Sequence, residues 1–204
     1  MQGIPLIISA PSGTGKTTLC KMIVQNLSNV IVSISHTTRK PRGQEIQGTD
    51  YYFTSKEDFK KMAERNEFLE WAEVHDAYYG TSKQKVFENL ERGYDVIFDI
   101  DIQGGLQIKH QMPKTVLIFL LPPSMEVLKQ RLIGRGENTK EIISLRLKAS
   151  LQEILGAHFY DYFVINDDLQ QTFSHIQNIL FAERIKLNKP NEILLRLMHE
   201  RFEV

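Results

Sequence analysis

The sequence predicts an α/β protein, a parallel sheet with helices on both faces. Three observations carry this. Apolar β-prone runs alternate with helical patterns along the chain. The glycine-rich run Ala10-Pro11-Ser12-Gly13-Thr14-Gly15-Lys16-Thr17 falls between the first strand and the first helix, and Asp99 and Asp101 cluster at the C-terminal end of a buried strand, where parallel sheets place ligands.

Taken in order, Ile4-Pro5-Leu6-Ile7-Ile8 is a buried strand. The following loop fits G-x-x-x-x-G-K-[ST] except that Ala10 stands for the first glycine. Such a loop wraps backbone N–H groups around phosphate oxygens at a helix N-terminus, with Lys16 reaching the β/γ-phosphates and the Thr17 hydroxyl on Mg²⁺. A glycine-rich turn with an incidental lysine is the alternative. The context disfavours it, because Leu19, Met22, Ile23 and Leu27 recur at helical spacing and predict a helix from Thr18.

Residues 30–35 are β-branched enough for a second strand. The stretch 35–53, dense in Gly, Pro and charge, predicts an exposed functional loop leading into short strands. Ser55 and Asp58 mark a capped helix carrying Phe59, Met62 and Ala63, and residues 68–74 alternate as a strand. Residues 78–82 read as a turn, Lys83 to about Arg92 as a helix, and 94–101 as the buried strand with carboxylates at its end. A helix from about Gly105 and a strand over 115–120 follow, closed by Pro122-Pro123. The helical region 125–155 is broken at Gly134-Arg135-Gly136, and a short strand over 162–166 precedes a helix from Leu169 to about Leu187. The amphipathic tail 188–204 packs on its own subunit or on another, so a homo-oligomer stays open.

The chain has 204 residues, enough for one well-buried core, with 25 Lys+Arg against 25 Asp+Glu and no net charge. A general polyanion binder usually shows a basic excess, so nucleic acid is disfavoured as a partner. No secretory leader and no membrane-length apolar run is visible, and the single cysteine, Cys20, suits a reducing compartment as a core thiol. The expectation is a soluble cytoplasmic protein with small-molecule partners.

Phosphoryl transfer needs the donor phosphates held, an acceptor held in line, and positive charge around the moving group. Arg131, Arg135 and Arg146, on helices parted by Gly134 and Gly136, suit a closing lid and equally suit a solvated helical face. Arg39 and Arg42, three apart around Pro41, with Tyr51, suit an acceptor that itself carries a phosphate.

Together these residues resemble the guanylate kinases, nucleoside monophosphate kinases of the P-loop superfamily. The resemblance spans about residues 4–187 and rests on Ser9 to Thr17, Ser35-His36-Thr37-Thr38-Arg39 with Arg42, Glu45, Gly48, Asp50 and Tyr51, Glu70-Trp71-Ala72, Tyr78-Tyr79-Gly80-Thr81, Asp99 to Gly104, Arg131 with Arg135-Gly136, and Tyr162 to Asp167. It implies a P-loop NTPase core (1–34, 83–125 and 150–187), an inserted GMP-binding subregion (about 35–82) and a helical lid (about 126–149). By resemblance, Arg39, Arg42, Tyr51 and Tyr79 bind the GMP phosphate, while Ser35, Glu70, Thr81 and Asp101 surround the guanine. Residues 10–17 with Arg131, Arg135 and Arg146 contact ATP phosphates, Asn166 lies near the adenine, and Asp99 meets Mg²⁺ through water. Glu70 suits its role chemically, because one carboxylate accepts both guanine N1–H and N2–H, which adenine cannot offer.

The implied reaction is ATP + GMP ⇌ ADP + GDP with Mg²⁺, dGMP also serving as acceptor, in purine nucleotide metabolism. A ribose 1,5-bisphosphate kinase would need no guanine reader. A guanylate-kinase-like binding module would have a degraded phosphate loop, and a P-loop GTPase would carry N-K-x-D, which is absent.

Overall fold

The computed structural model describes residues 3–74, 76–134, 139–187 and 199. Strand β1 (Pro5–Ser9) is buried throughout. Helix α1 (Lys16–Asn26) starts two residues earlier than the spacing predicts, because Gly15 caps it at φ 104°, a left-handed conformation that glycine adopts without a Cβ clash. Lys16 and Thr17 are therefore first-turn residues, at the end where orphan N–H groups favour an anion.

Strand β2 (Val30–Val32) is shorter than the apolar run 30–35. The Ser33 amide still donates to the Ile97 carbonyl at 2.8 Å, after which the chain enters a second sheet through β3 (His36–Thr37) and β4 (Tyr52–Phe53). Helix α2 (Lys56–Glu64) carries the predicted cap, with Ser55 Oγ accepting from the Asp58 amide at 3.0 Å. Strand β5 (Phe68–Val74) pairs antiparallel with β6 (Ala77–Ser82). The turn expected at 78–82 is thus strand. Small residues suggest a turn, yet Gly80 is small because the neighbouring aromatics need the space: a Cβ there would lie 3.0 to 3.1 Å from Phe59, Phe68 and Trp71.

Helix α3 (Lys83–Glu91), strand β7 (Asp95–Asp99) and helix α4 (Ile102–Gln111) follow. Helix α4 begins before Gly105 because the Asp101 carboxylate caps it, accepting from the Gly104 amide at 2.9 Å. Strand β8 (Val116–Leu121), helices α5 (Met125–Gly134) and α6 (Lys140–Gly156), strand β9 (Tyr162–Ile165) and helix α7 (Leu169–Leu187) complete the order. Helix α6 runs past residue 149 into the region expected to be core. Apart from His199, the tail lies outside the described residues.

The main sheet has the order β2-β7-β1-β8-β9 with every pairing parallel; the smaller one, β4-β3-β6-β5, is mixed. Alternation along the central strands feeds two cores. Leu6, Ile8, Ile97 and Ile118 face α1 and α7, while Ile7, Phe98, Leu117 and Phe119 face α3 and α4. Cys20 sits in the first core as expected, its thiol pushed up to about 12, first by burial and then by the Asp99 charge. Asp95, 2% exposed, accepts from the Ile4 amide at 2.7 Å and Arg184 Nε at 2.8 Å, tying the end of α7 to the entry of β1 and β7. Among the described residues no helix is long and apolar enough to cross a membrane.

Candidate active site

The strand-to-helix loop after β1 forms one wall of a cleft of about 330 Å³, with Pro11, Ser12, Gly13, Lys16 and Thr17 on one side and Asp101 and Glu153 completing it. Gly13 holds φ 96°, and Leu128 and Leu132 of α5 crowd it so closely that a Cβ would lie 3.0 Å from Leu132. Glycine geometry and the helix resting on its back therefore fix the shape of the loop, whose Thr14 amide donates to the Pro11 carbonyl at 3.1 Å.

Lys16 Nζ pairs with Asp99 Oδ1 at 2.7 Å and donates to the Ile100 carbonyl at 3.0 Å. Both acceptors lie at or just beyond the end of β7, which the Tyr160–Ser9 chain braces: Tyr160 Oη donates to Ser9 Oγ (2.7 Å), and Ser9 Oγ donates to the same Ile100 carbonyl (2.8 Å). Burial above all pushes the Tyr160 phenol up to about 12.

Asn166, 5% exposed, donates through Nδ2 to the Thr14 carbonyl at 2.6 Å. Arg131 Nη1 reaches the same carbonyl at 3.2 Å and the Asn166 carbonyl at 3.1 Å. Two of the residues expected at the ATP thus hold the phosphate loop itself. Arg146 is exposed on α6, where its carbonyl accepts from Ser150, and its side chain is not drawn into the cleft. Arg135 lies outside the described residues.

In the smaller sheet the structure gathers Arg39, Tyr51 and Tyr79. Arg39 Nε donates to Tyr79 Oη at 3.2 Å, and the guanidinium carbon lies 5.3 Å from the Tyr51 ring centroid. Glu45 grips the same guanidinium, Oε1 to Nη2 at 2.8 Å and Oε2 to Nη1 at 2.9 Å. That pair holds the Arg39 pKa above and the Glu45 carboxyl below their ordinary ranges, while burial leads the upward shift of the Tyr51 phenol. Arg42 is exposed; its amide donates to Glu45 Oε2 at 2.7 Å. Ser35 contributes a backbone bond, its carbonyl accepting from Tyr52 at 2.9 Å.

Glu70 is 8% exposed, and Thr81 Oγ1 donates to its Oε1 at 2.6 Å. Burial pushes its carboxyl up to about 6, the Thr81 bond holds it back, and the Asp101 charge adds to the rise. Asp101 also lines the phosphate cleft, so the two sites are neighbours. A Cβ at Gly104 would stand 3.3 Å from Glu70 Oε2, and glycine leaves that oxygen its space.

Glu153 is a cleft residue that the motifs do not mark. It faces the cleft from α6, half-buried, its carboxyl raised by burial and then by Asp101, with Lys16 opposing. Helical spacing is the available signal, since Arg146, Ser150 and Glu153 share one face of α6. Glu45 carries its own signal, an acid three residues after Arg42 and six after Arg39.

A parallel sheet with a phosphate-binding loop after its central strand, a lysine returned to that sheet's carboxylate end, and a separate arginine–tyrosine corner define a P-loop phosphotransferase acting on nucleotides. Comparison with known proteins narrows the class. A family model described as guanylate kinase matches residues 2–183. The guanylate kinase of Caldanaerobacter subterraneus subsp. tengcongensis is 44% identical over 199 residues, 98% of this chain and 97% of the relative, and that of Rickettsia prowazekii 47% identical over 185 residues, 91% and 94%. The crystal structure of guanylate kinase from Anaplasma phagocytophilum superposes with a TM-score of 0.71 at 33% identity, covering 89% of this chain and 86% of that one. The chain belongs to the guanylate kinase family. Phosphoryl transfer from ATP to GMP, with a divalent metal, follows from that membership.

Proposed function

We propose that the cleft at the phosphate loop seats ATP, and that the smaller sheet seats GMP or dGMP with its phosphate at Arg39, Arg42, Tyr51 and Tyr79 and its base at Ser35, Glu70, Thr81 and Asp101. The observation that carries this reading is Glu70. A buried carboxylate whose Oε1 is already held by Thr81, next to the phosphate cleft, is costly unless a ligand brings paired donors, and guanine N1–H and N2–H are such a pair. Adenine would leave that carboxylate without its partners.

In the reaction an oxygen of the GMP phosphate forms the new bond to the γ-phosphorus as the bond from that phosphorus to the β,γ-bridging oxygen breaks, and ADP leaves with the electron pair. The attacking oxygen is already ionised, so no general base is required. Lys16 and the loop N–H groups stabilise charge on the donor phosphates, and the Arg39–Arg42 corner aims the acceptor. Arg131 keeps the loop in shape through Thr14, and Arg135 and Arg146 are proposed to complete the positive surround when the helices α5 and α6 close over ATP.

The donor set suits Mg²⁺: the Thr17 hydroxyl and the Asp99 carboxylate are hard oxygen ligands at the cleft. Among the described residues no group of three or more His, Cys, Asp or Glu side chains is placed to hold a metal alone, consistent with an ion carried in on the nucleotide phosphates. When bound, Mg²⁺ neutralises charge on the phosphates. We propose Thr17 as its direct ligand and Asp99 as a partner through water. We assign the core to residues 1–34, 83–125 and 150–187, the GMP-binding subregion to about 35–82 and the lid to about 126–149. The neutral charge and single buried thiol favour a cytoplasmic enzyme without nucleic-acid partners.

The test is ADP release from Mg·ATP with GMP, dGMP, AMP, UMP or ribose 1,5-bisphosphate as sole acceptor, Lys16→Met serving as the blank. Turnover confined to GMP and dGMP is expected. Turnover with ribose 1,5-bisphosphate alone would overturn the base-reading residues, and none with any acceptor would favour a binding module.

A further inference from the structure

We propose that Tyr160 is a positioning residue for Lys16, acting through the Ser9 hydroxyl and the Ile100 carbonyl to fix the direction from which the lysine ammonium faces the cleft. This rests on reading Lys16 as the cation that meets the donor phosphates.

Lys16 is held in two ways. Its ammonium pairs with Asp99 Oδ1 at 2.7 Å, an attraction with little preference for angle, and it donates a hydrogen bond to the Ile100 carbonyl at 3.0 Å, which does prefer one. An ammonium has three N–H groups, and once one is committed to that carbonyl the others are aimed. Lys16 lines the cleft, so the Ile100 carbonyl sets how the ammonium is presented to a phosphate oxygen there.

The main sheet does not fix that carbonyl. Ile100 lies one position past β7, whose last pairing with β1 is Asp99 with Ile8, and the donors that reach its carbonyl are Lys16 Nζ and, at 2.8 Å, Ser9 Oγ. Without Ser9 it would be held by the very lysine it has to hold. A carbonyl only accepts, so the single Ser9 hydroxyl hydrogen is spent on it, and Ser9 Oγ must in turn accept from Tyr160 Oη at 2.7 Å. The chain therefore runs one way, from Tyr160 to Ser9 to Ile100. Ser9 is fully buried, which leaves the phenol rather than solvent to pin its hydroxyl.

Tyr160 gives the chain a rigid end. It is buried in the core that α3 and α4 cover, its ring edge-on to Phe119 with centroids 5.2 Å apart, and its amide donates to the Ala157 carbonyl at 2.9 Å. Burial keeps the phenol protonated and able to donate. Side-chain packing 151 positions away from Ser9 thus reaches the start of the phosphate loop. Phenylalanine preserves the ring and removes only the hydroxyl.

A structural role and a positioning role leave different marks. If Tyr160 only ties the entry of β9 to β1, losing its hydroxyl lowers stability and leaves the kcat of the folded protein as it was. If it aims Lys16, the loss lowers kcat, and does so only while Lys16 is present.

Initial rates would be measured on the full chain with Mg·ATP and GMP each varied, for wild type, Tyr160→Phe, Ser9→Ala, the two combined, Lys16→Met, and Lys16→Met combined with Tyr160→Phe. Each rate would be referred to the folded fraction read from a thermal melt. Tyr160→Phe is expected to lower kcat about threefold to tenfold, with the KM for GMP within about twofold of wild type. Ser9→Ala should lower kcat at least as much, and adding Tyr160→Phe to it should change nothing further, because the chain passes through Ser9. In the Lys16→Met background Tyr160→Phe should leave the residual kcat unchanged. A wild-type kcat in Tyr160→Phe overturns the proposal, as does an equal fold-loss in the Lys16→Met background, or losses that multiply when Tyr160→Phe and Ser9→Ala are combined. The parent reading fails differently, by Lys16→Met keeping the wild-type kcat.

Discussion

Asn166 Nδ2 stands 2.6 Å from the Thr14 carbonyl, joining the loop after β9 to the phosphate loop after β1 across 152 positions of sequence. Gly15 favours this contact, because it holds φ 104° and a Cβ there would lie 2.8 Å from the same Nδ2 and push the amide aside. A phosphate loop is useful only if its N–H groups are aimed before the nucleotide arrives, and this amide is one of the groups that aim them.

Asn166→Ala should therefore lower stability by about 1–3 kcal/mol, the cost of leaving a buried carbonyl short of its donor, moderated by the longer Arg131 bond to the same oxygen. Its kinetic mark should be a raised KM for ATP with the KM for GMP unchanged. Denaturant unfolding and initial rates with each substrate varied would show both; a raised KM for GMP would contradict the placement.

Lys16→Met should reduce kcat by on the order of 10²-fold or more, because it removes the loop ammonium proposed to meet the donor phosphates. GMP affinity should survive, since among the described residues Lys16 bonds to Asp99 and Ile100 and not to the Arg39 corner. Equilibrium binding of GMP to the variant is the measurement, and a lost affinity in a folded protein would count against the division of roles.

Glu70 links recognition to pH. Its carboxyl is pushed up to about 6 in the folded chain, above the ordinary value, so the ionised form proposed to accept from guanine is present above that pH and disappears below it. The KM for GMP should rise as pH falls through about 6.

The stability effect of Glu70 runs the other way. With the folded pKa raised, the folded chain holds this proton more tightly than the unfolded one, so folding is favoured below the unfolded value. The advantage is lost as pH rises to about 6 and beyond, an effect on the order of 2 kcal/mol. Glu70→Gln should accordingly keep or gain stability at pH 7.5 while losing GMP affinity and flattening the pH dependence of KM. Chemical unfolding at pH 5 and 7.5 with matched kinetics would check it, and a variant destabilised at pH 7.5 would refute the sign.

Features set by residues close together along the chain are legible in the sequence. The strand, loop and helix around Lys16 are local, and their order of apolar run, glycines and periodic residues announces an anion site. The Ser55 cap and the alternation of β1, β7 and β8 are local in the same way. The pattern also marks the carboxylates at the end of β7, because a strand buried on both faces can carry charge only where it emerges.

Local pattern misleads where tertiary neighbours override propensity. Residues 78–82 look like a turn until Phe59, Phe68 and Trp71 are found against Gly80, which must be small for them to fit. Asp101 looks like the end of a strand and proves also to be the cap of α4. Glu153 looks like one more solvated acid, because its helical register with Arg146 and Ser150 does not by itself say which face of α6 meets the phosphate cleft.

By itself, then, the sequence determined the class of fold, the strand–loop–helix around Lys16 and the kinase family, because these are written as contiguous motifs with their own geometry. Only the tertiary structure decided which of those side chains touch: that Asn166 and Arg131 hold the Thr14 carbonyl, that Asp99 holds Lys16, and that Glu45 takes two of the five Arg39 donors, with Tyr79 and Lys40 taking two more. Hydrogen bonds are directional and saturable, and their pairing depends on distances that spacing along a chain does not set.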